Sequence, residues 1–184
     1  MIVGVTGTDG AGKGTVVEYL TSQKGFTHYH IRALLLEEIR KQGREPDRAA
    51  MREIGNQLRK ERGNAFLVTE YVGRAARDGV THAVIESIRA RAEAEALKSA
   101  GGILIAVDAD PKIRYERIVA RASESDRVSF EEFLAHEALE MHDTDPNGMQ
   151  KAAVINMADY TILNNGSRED FEREIEDMCK KLGL

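Results

Sequence analysis

Apolar and polar positions along this chain switch repeatedly between two periods. Short, compact apolar runs recur at 1–6, 26–31, 82–88, 102–107 and 160–163. Each has the length and composition of a strand. The run Ile103-Leu104-Ile105-Ala106-Val107 is apolar on both faces, as a strand inside a parallel sheet must be. Between these runs the apolar residues fall three and four apart, the spacing of one helix face. Such stripes are Leu34, Leu35, Leu36 and Ile39; Met51, Ile54 and Leu58; Leu67, Val68, Tyr71 and Val72; and Ile113, Tyr115, Ile118 and Val119.

Local signals bound these helices. A helix over 13–22 stops near Gly25, and the 34–39 stripe ends near Gly43. Asp47 is placed to cap a helix over 48–61, and Asn64 to cap the next, which ends at Gly79. Gly101-Gly102 closes a helix over 90–100. Asp110-Pro111 opens another, with proline in the first turn where its missing donor costs nothing. Ser129 with Glu132 forms a capping box for a helix over 130–142. Polar breaks lie at 123–126 and 143–148; residues 149–158 are helical, and Asn164-Asn165-Gly166-Ser167 turns into a charged terminal helix. Strands alternating with helices predict an α/β fold in three layers, a five-stranded parallel sheet flanked by helices, in one domain over 1–184.

Composition narrows the function. The chain has 184 residues, 42% hydrophobic and 31% charged, which suits one globular core. Its net charge of −5 disfavours sequence-independent nucleic-acid binding, although 26 Lys+Arg leave room for a basic pocket. The single cysteine, Cys179, allows no intrachain disulfide and reads as a buried or half-buried helix residue. No apolar run approaches the ~20 residues of a membrane span, and the first residues already form a strand, so a soluble cytoplasmic protein is expected.

Chemistry begins at the first strand end. Gly7-Thr8-Asp9-Gly10-Ala11-Gly12-Lys13 matches G-x-x-x-x-G-K, between an apolar strand and a helix start. Glycines there let backbone N–H groups turn toward phosphate oxygens, and the helix N-terminus aims its positive end at the same place. Lys13 adds a charge that can reach the outer phosphates. Gly14 stands where Ser or Thr is usual, with Thr15 one later, so Mg²⁺ would be held mostly through water and an acid elsewhere.

Gly10-Ala11-Gly12-Lys13-Gly14-Thr15 resembles the loop of nucleoside monophosphate kinases such as adenylate kinase. The resemblance implies ATP as donor, Lys13 on the β- and γ-phosphates and Thr15 near the α-phosphate. Asp9 departs from adenylate kinases, which have proline there; thymidylate kinases place an aspartate at the matching position, near the acceptor sugar. Asp9 therefore either faces the acceptor or bonds its own loop. Val84-Ile85-Glu86-Ser87-Ile88-Arg89 resembles the D-G-F-P-R segment of adenylate kinases. It implies Glu86 on Mg²⁺ through water and Arg89 forked onto an acceptor phosphate, the alternative for each being a surface salt bridge. His30-Ile31-Arg32 follows the second strand, where these kinases carry an arginine that grips the acceptor phosphate. Arg32 fits that role, whereas His30 either touches the acceptor or sits at the core edge.

Arg114, Arg117 and Arg121 share a helix face, with Arg127 beyond. The resemblance implies that Arg117 and Arg121 close over the transferred group; the alternative is a solvated charged face. Ala158-Asp159-Tyr160-Thr161-Ile162-Leu163-Asn164-Asn165-Gly166 resembles the last strand and base-contacting loop of dephospho-coenzyme A kinases, which implies Asn165 and Gly166 beside the nucleotide base; the alternative is a capped turn before the last helix. The chain is also similar to archaeal P-loop kinase-like proteins near that family, whose acceptor is unassigned. Residues 32–79 then form a helical acceptor-binding insert, in which Asn56, Gln57, Arg59 or Glu61 could read a base, and 122–148 form a short lid. The expected activity is transfer of the γ-phosphoryl of ATP to a nucleoside monophosphate. A kinase acting on a hydroxyl, and a nucleotide switch without acceptor, are the alternatives. No nucleic-acid or membrane partner is expected; base, sugar and oligomeric state are left open.

Overall fold

The computed structural model describes residues 1–121, 128–145 and 147–184. The elements run β1 (Ile2–Gly7), α1 (Lys13–Lys24), β2 (Thr27–His30), α2 (Ile31–Lys41), α3 (Arg48–Arg62), α4 (Phe66–Arg77), β3 (Ala83–Glu86), α5 (Arg91–Ser99), β4 (Ile103–Asp108), α6 (Pro111–Ala120), α7 (Phe130–Met141), α8 (Lys151–Asn156), β5 (Tyr160–Leu163) and α9 (Arg168–Leu182). The strands form one parallel sheet in the order β2-β3-β1-β4-β5. Every expected strand is present: β2 and β3 are shorter than expected, β1 and β4 begin and end one residue later, and β5 matches. β3 ends at Glu86 because Ser87 leaves the ladder with a positive φ of 74°.

Alternation within the buried strands feeds two cores. Val84, Ile105, Val107 and Ile162 pack with Val16, Leu20, Phe171, Ile175 and Met178, the inner faces of α1 and α9. Ile85 and Leu104, one residue out of step, pack with Ile54, Leu67, Val68, Leu97 and Val154 from the opposite layer. Cys179 is buried in the first core, where burial pushes its thiol pKa up.

Three of the four expected caps hold. Asp47 accepts from the Ala50 N–H, Asp110 from the Lys112 N–H, and Ser129 and Glu132 form the reciprocal box. Asn64 does not cap α4: the chain makes a further turn, and the helix starts at Phe66 after Ala65, without a side-chain cap. Residues 31–77 are almost wholly helical. Two polar contacts anchor this region. Tyr71 Oη donates to the His30 carbonyl at 2.9 Å, and the Arg59 guanidinium meets Glu93 at 2.8 Å. The polar break expected at 123–126 lies outside the described residues, as does Arg127.

Candidate active site

The turn from β1 into α1 is a backbone cradle. Gly12, the residue before α1, has φ 107°, and a Cβ there would lie 2.6 Å from Asn164 Nδ2 and 3.0 Å from the Phe171 ring. Conformation and close approach both require glycine. Gly14 differs: a Cβ on it would meet nothing within 4 Å. Protein packing therefore does not exclude a side chain at 14.

The Lys13 ammonium folds back over this turn, donating to the carbonyls of Thr8 at 2.6 Å and Gly7 at 3.2 Å, with Asp9 Oδ1 at 3.6 Å. Its pKa is lowered to about 8, chiefly by burial. Asp9 and Glu86 oppose that shift, whereas Arg89 and Lys151 add to it.

Asp9 is the meeting point of a charged cluster. Arg89 lies 3.6 Å from its Oδ1 and Lys151 3.2 Å from its Oδ2. Glu140 closes the ring, with Oε2 3.7 Å from Arg89 and in direct contact with the Lys151 amine. Lys151 is only 1% exposed. Burial presses against the charge on Arg89, but Asp9, Glu140, Glu93 and Glu86 outweigh it and hold its pKa above the ordinary value. The geometry follows from chain connections. Ser87 N–H donates to the Val5 carbonyl, which turns the chain over β1 toward Arg89. Gln150 N–H then donates to the Arg89 carbonyl at 2.9 Å, which fixes the start of α8 and hence Lys151 beside the loop. Sequence reasoning misses Lys151 and Glu140. One signal is available: Lys151 stands three before Val154, on the buried stripe of its helix, where an unpaired lysine would be costly.

Glu86, at the end of β3, faces β2. Its Oε2 lies 3.1 Å from His28 Nε2 and 3.6 Å from His30 Nε2. Burial alone would push its carboxyl pKa up, yet the bond to His28 and the charges of His30, His28 and Lys13 bring it below the usual value. His30 is lowered by burial, with Arg32 and Arg89 adding to the shift and Glu86 opposing it. His30 thus feels the charge of both Arg32 and Arg89. Arg32 itself is exposed at the start of α2.

The α6 arginines separate. Arg114, 3% exposed, donates to the carbonyls of Ala109 and Asp9 and forks onto Glu137 of α7. Arg117 donates to the Asn164 carbonyl at 3.0 Å and to Asn164 Oδ1 at 3.3 Å, at the end of β5. Arg121 caps the C-terminus of α6 and is exposed. Asn165 Oδ1 accepts from the Asp110 N–H at 2.7 Å. Its neighbour Asn164, which the sequence does not single out, is buried and donates to the Ala11 carbonyl at 2.8 Å, joining β5 to the phosphate loop.

Two cavities flank the cradle's surroundings. One of about 390 Å³ is lined by Leu163, Asn164, Gly166 and Phe171, with Asp170 and Arg173 at its side. The other, about 420 Å³, lies between α3 and α7 and is lined by Arg52, Asn56, Leu139, Glu140, His142 and Met149, among others. Leu163 is 61% and Leu139 63% exposed, so each cavity has an exposed leucine in its wall. Of the four insert residues that could read a base, Asn56 reaches this second cavity. Arg59 does not serve that purpose: it is buried against Glu93, and its chemistry is spent on the fold.

A family model described as an AAA domain matches residues 3–144. A UPF0200 protein of Thermococcus kodakarensis is 32% identical over 189 residues, covering 99% of this chain and 98% of the relative. The chain belongs to the UPF0200 family. Among solved structures, the shikimate kinase of Bacteroides thetaiotaomicron matches 100% of this chain and 99% of its own at 16% identity, with a TM-score of 0.62. That of Acinetobacter baumannii, in complex with shikimate, matches 98% and 93% at 17% identity, with a TM-score of 0.58. The fold is therefore that of P-loop kinases, a nucleotide-binding fold. In sheets of this kind ligands sit at the carboxyl ends of the strands, where Gly7, Glu86 and Asp108 lie.

Proposed function

We propose that this protein is an ATP-dependent phosphotransferase that passes a γ-phosphoryl group to a nucleoside monophosphate. The observation that carries the reading is Arg89, held 3.6 Å from Asp9 of the phosphate loop at the carboxyl edge of the sheet. A cation so close to the donor site, with Arg32 exposed at the start of α2, suits an acceptor that itself brings a phosphate. Phosphoryl transfer needs positioning and charge neutralisation more than covalent help.

In this reading Gly10, Ala11, Gly12, Lys13, Gly14 and Thr15 wrap the donor phosphates. Lys13 exchanges the Gly7 and Thr8 carbonyls for phosphate oxygens, which restores the proton affinity that burial takes away. Arg32 and Arg89 orient the acceptor phosphate. Arg117, beside Asn164, and Asn165 and Gly166 border the donor base, and Arg121 closes over the transferred group. Lys151 and Glu140 hold Asp9 and Arg89 in register. The cavity between α3 and α7 takes the acceptor base, with Asn56 at its edge. The donor set also suits Mg²⁺, which binds through one or two carboxylates, water and substrate phosphates. Glu86 would hold it through water, and the ion would neutralise phosphate charge.

Mixing the purified protein with Mg-ATP and a panel of ribo- and deoxynucleoside monophosphates tests the proposal. Diphosphate formation with one of them is expected; no product with any of them would sink it. One observation favours a second reading, a kinase directed at a hydroxyl. The Asp9 carboxylate sits at the loop, where it could accept a hydroxyl proton, as a shikimate-type acceptor would require. Substituting Arg32 and Arg89 separates the two: loss of acceptor binding favours the phosphorylated acceptor.

A further inference from the structure

We infer that His28, His30 and Glu86 form a binding site for a divalent transition ion of the Zn²⁺ class, which shares only Glu86 with the water-held Mg²⁺ of the proposed function. The three donor atoms, His28 Nε2, His30 Nε2 and a Glu86 carboxylate oxygen, all lie within 4.8 Å of one another. Both imidazole nitrogens approach the same oxygen, at 3.1 and 3.6 Å. A four-coordinate ion with bonds of about 2.0–2.1 Å spaces its ligand atoms about 3.3 Å apart, so these separations bracket what such an ion needs.

The arrangement is preset by the sheet. His28 and His30 are two apart on β2, which turns their side chains to one face. Parallel pairing sets His30 directly across from Glu86 of β3. The two rings stack at 5.3 Å with an interplanar angle of 21°, so they lie side by side toward Glu86. Donors mounted on adjacent strands keep their geometry better than donors on a loop.

The donor chemistry selects the ion. Two imidazoles and one carboxylate suit Zn²⁺, Co²⁺, Ni²⁺ or Fe²⁺, whereas Mg²⁺ prefers oxygen donors alone. A metal would take the place of the proton between His28 and Glu86, leaving each bound imidazole with its N–H on Nδ1. Three protein ligands leave a fourth position open. Lys13, Arg89 and Arg32 act electrostatically on Glu86 or His30, so the cluster lies in a cationic surrounding. They weaken a bare cation and favour one that carries an anionic oxygen, from water or a phosphate. The side chains of His28 and His30 are about one-third exposed, which leaves a route for the ion.

The full chain, stripped with chelator and then titrated with Co²⁺ in the absence of nucleotide, tests this independently of any kinase activity. One equivalent should bind with the visible absorption of a nitrogen- and oxygen-ligated low-coordinate ion, be displaced by Zn²⁺, and be untouched by excess Mg²⁺. His28→Ala, His30→Ala and Glu86→Gln should each weaken binding roughly tenfold or more. His82→Ala, outside the cluster, should leave it unchanged, with thermal unfolding reporting that every variant is folded. Absence of the absorption band, or Co²⁺ binding that survives the His28→Ala/His30→Ala double substitution, would overturn the assignment. A positive metal titration with no phosphoryl transfer would uphold this site and reject the proposed activity.

Discussion

Two buried ionic clusters lie within a few residues of each other, joined by the segment from Arg89 to Glu93, and they are built to opposite ends. In the first, Arg59 meets Glu93, whose second oxygen also accepts the N–H groups of Arg89 and Ala90. Its lone pairs are committed to the fold, and it binds α3 of the helical insert to the start of α5. In the second, Lys13, Arg89 and Lys151 share Asp9 and Glu140. Among these five side chains three cations face two carboxylates, beside a glycine cradle shaped for anions. The first cluster is closed and neutral, as a structural pair must be when water is excluded. The second leaves three cations at the cradle with only Glu86 as a further acid acting on both Lys13 and Arg89, an arrangement open to a phosphate group.

The sharpest way to break this contrast is to remove one partner of the closed pair. Arg59→Met leaves Glu93 buried without its cation and should cost about 3–5 kcal/mol of stability. Urea denaturation reads this, and the protein that remains folded should retain its nucleotide affinity. A larger loss of affinity than of stability would mean that Arg59 belongs to the functional cluster after all.

Lys151→Met should do the reverse. The methionine keeps the stem packed, but Asp9 and Arg89 lose the amine that spaces them. Misplacement on the scale of 1 Å costs about 100-fold in rate. Phosphoryl transfer measured under saturating ATP should fall by that order, with a smaller loss of stability than for Arg59→Met.

The pH dependence of the open cluster follows from Lys13. Its pKa of about 8 in the free protein means that nucleotide binding must restore a proton above that pH. Affinity should drop about tenfold between pH 7 and 9. Calorimetry in buffers of different ionisation heat should show proton uptake near pH 8–9, and its absence would remove Lys13 from the phosphates. The sign for folding is opposite. Between about 8 and the ordinary value of 10.5, the unfolded chain holds the proton and the native one does not, so this group makes stability rise with pH across that window.

The smallest effect tests the cradle itself. Gly14→Ala fills space that no protein atom occupies, in the first turn of α1. It should stabilise the free protein by up to about 1 kcal/mol through helix propensity, measured by thermal unfolding. Nucleotide affinity should change little, because such loops usually carry a Ser or Thr side chain at this place.

Much of this molecule is legible in its sequence. The phosphate loop can be read because its chemistry is local: strand, glycines, lysine and helix are contiguous in the chain. Glu86 and Arg89 are legible because strand ends are where open α/β sheets bind ligands. Arg59 cannot be separated from Asn56 and Gln57, since spacing alone does not say which polar residue of a helix meets a buried acid. Arg114 stands out as one of a row on α6, but not as the member that lies on the loop. Asn165 draws attention ahead of Asn164, because the direction of the residue just past a strand depends on what lies beneath it. Asn64 looks like the α4 cap and is not, since a turn can absorb one more residue before the helix begins.

By itself, then, the sequence determined the alternation of strands and helices, the phosphate loop and the acids and arginines at the rim. These rest on short-range periodicity and steric rules that act within a few residues. Only tertiary structure decided which charges meet. Lys151 reaches Asp9 across 142 positions, Asn164 reaches Ala11 across 153, and His28 reaches Glu86 across 58. Such contacts exist because hydrophobic burial of the sheet brings those strand ends and helix starts to one edge. Once water is excluded there, each buried charge must find a partner, and the chain's topology fixes which one is within reach.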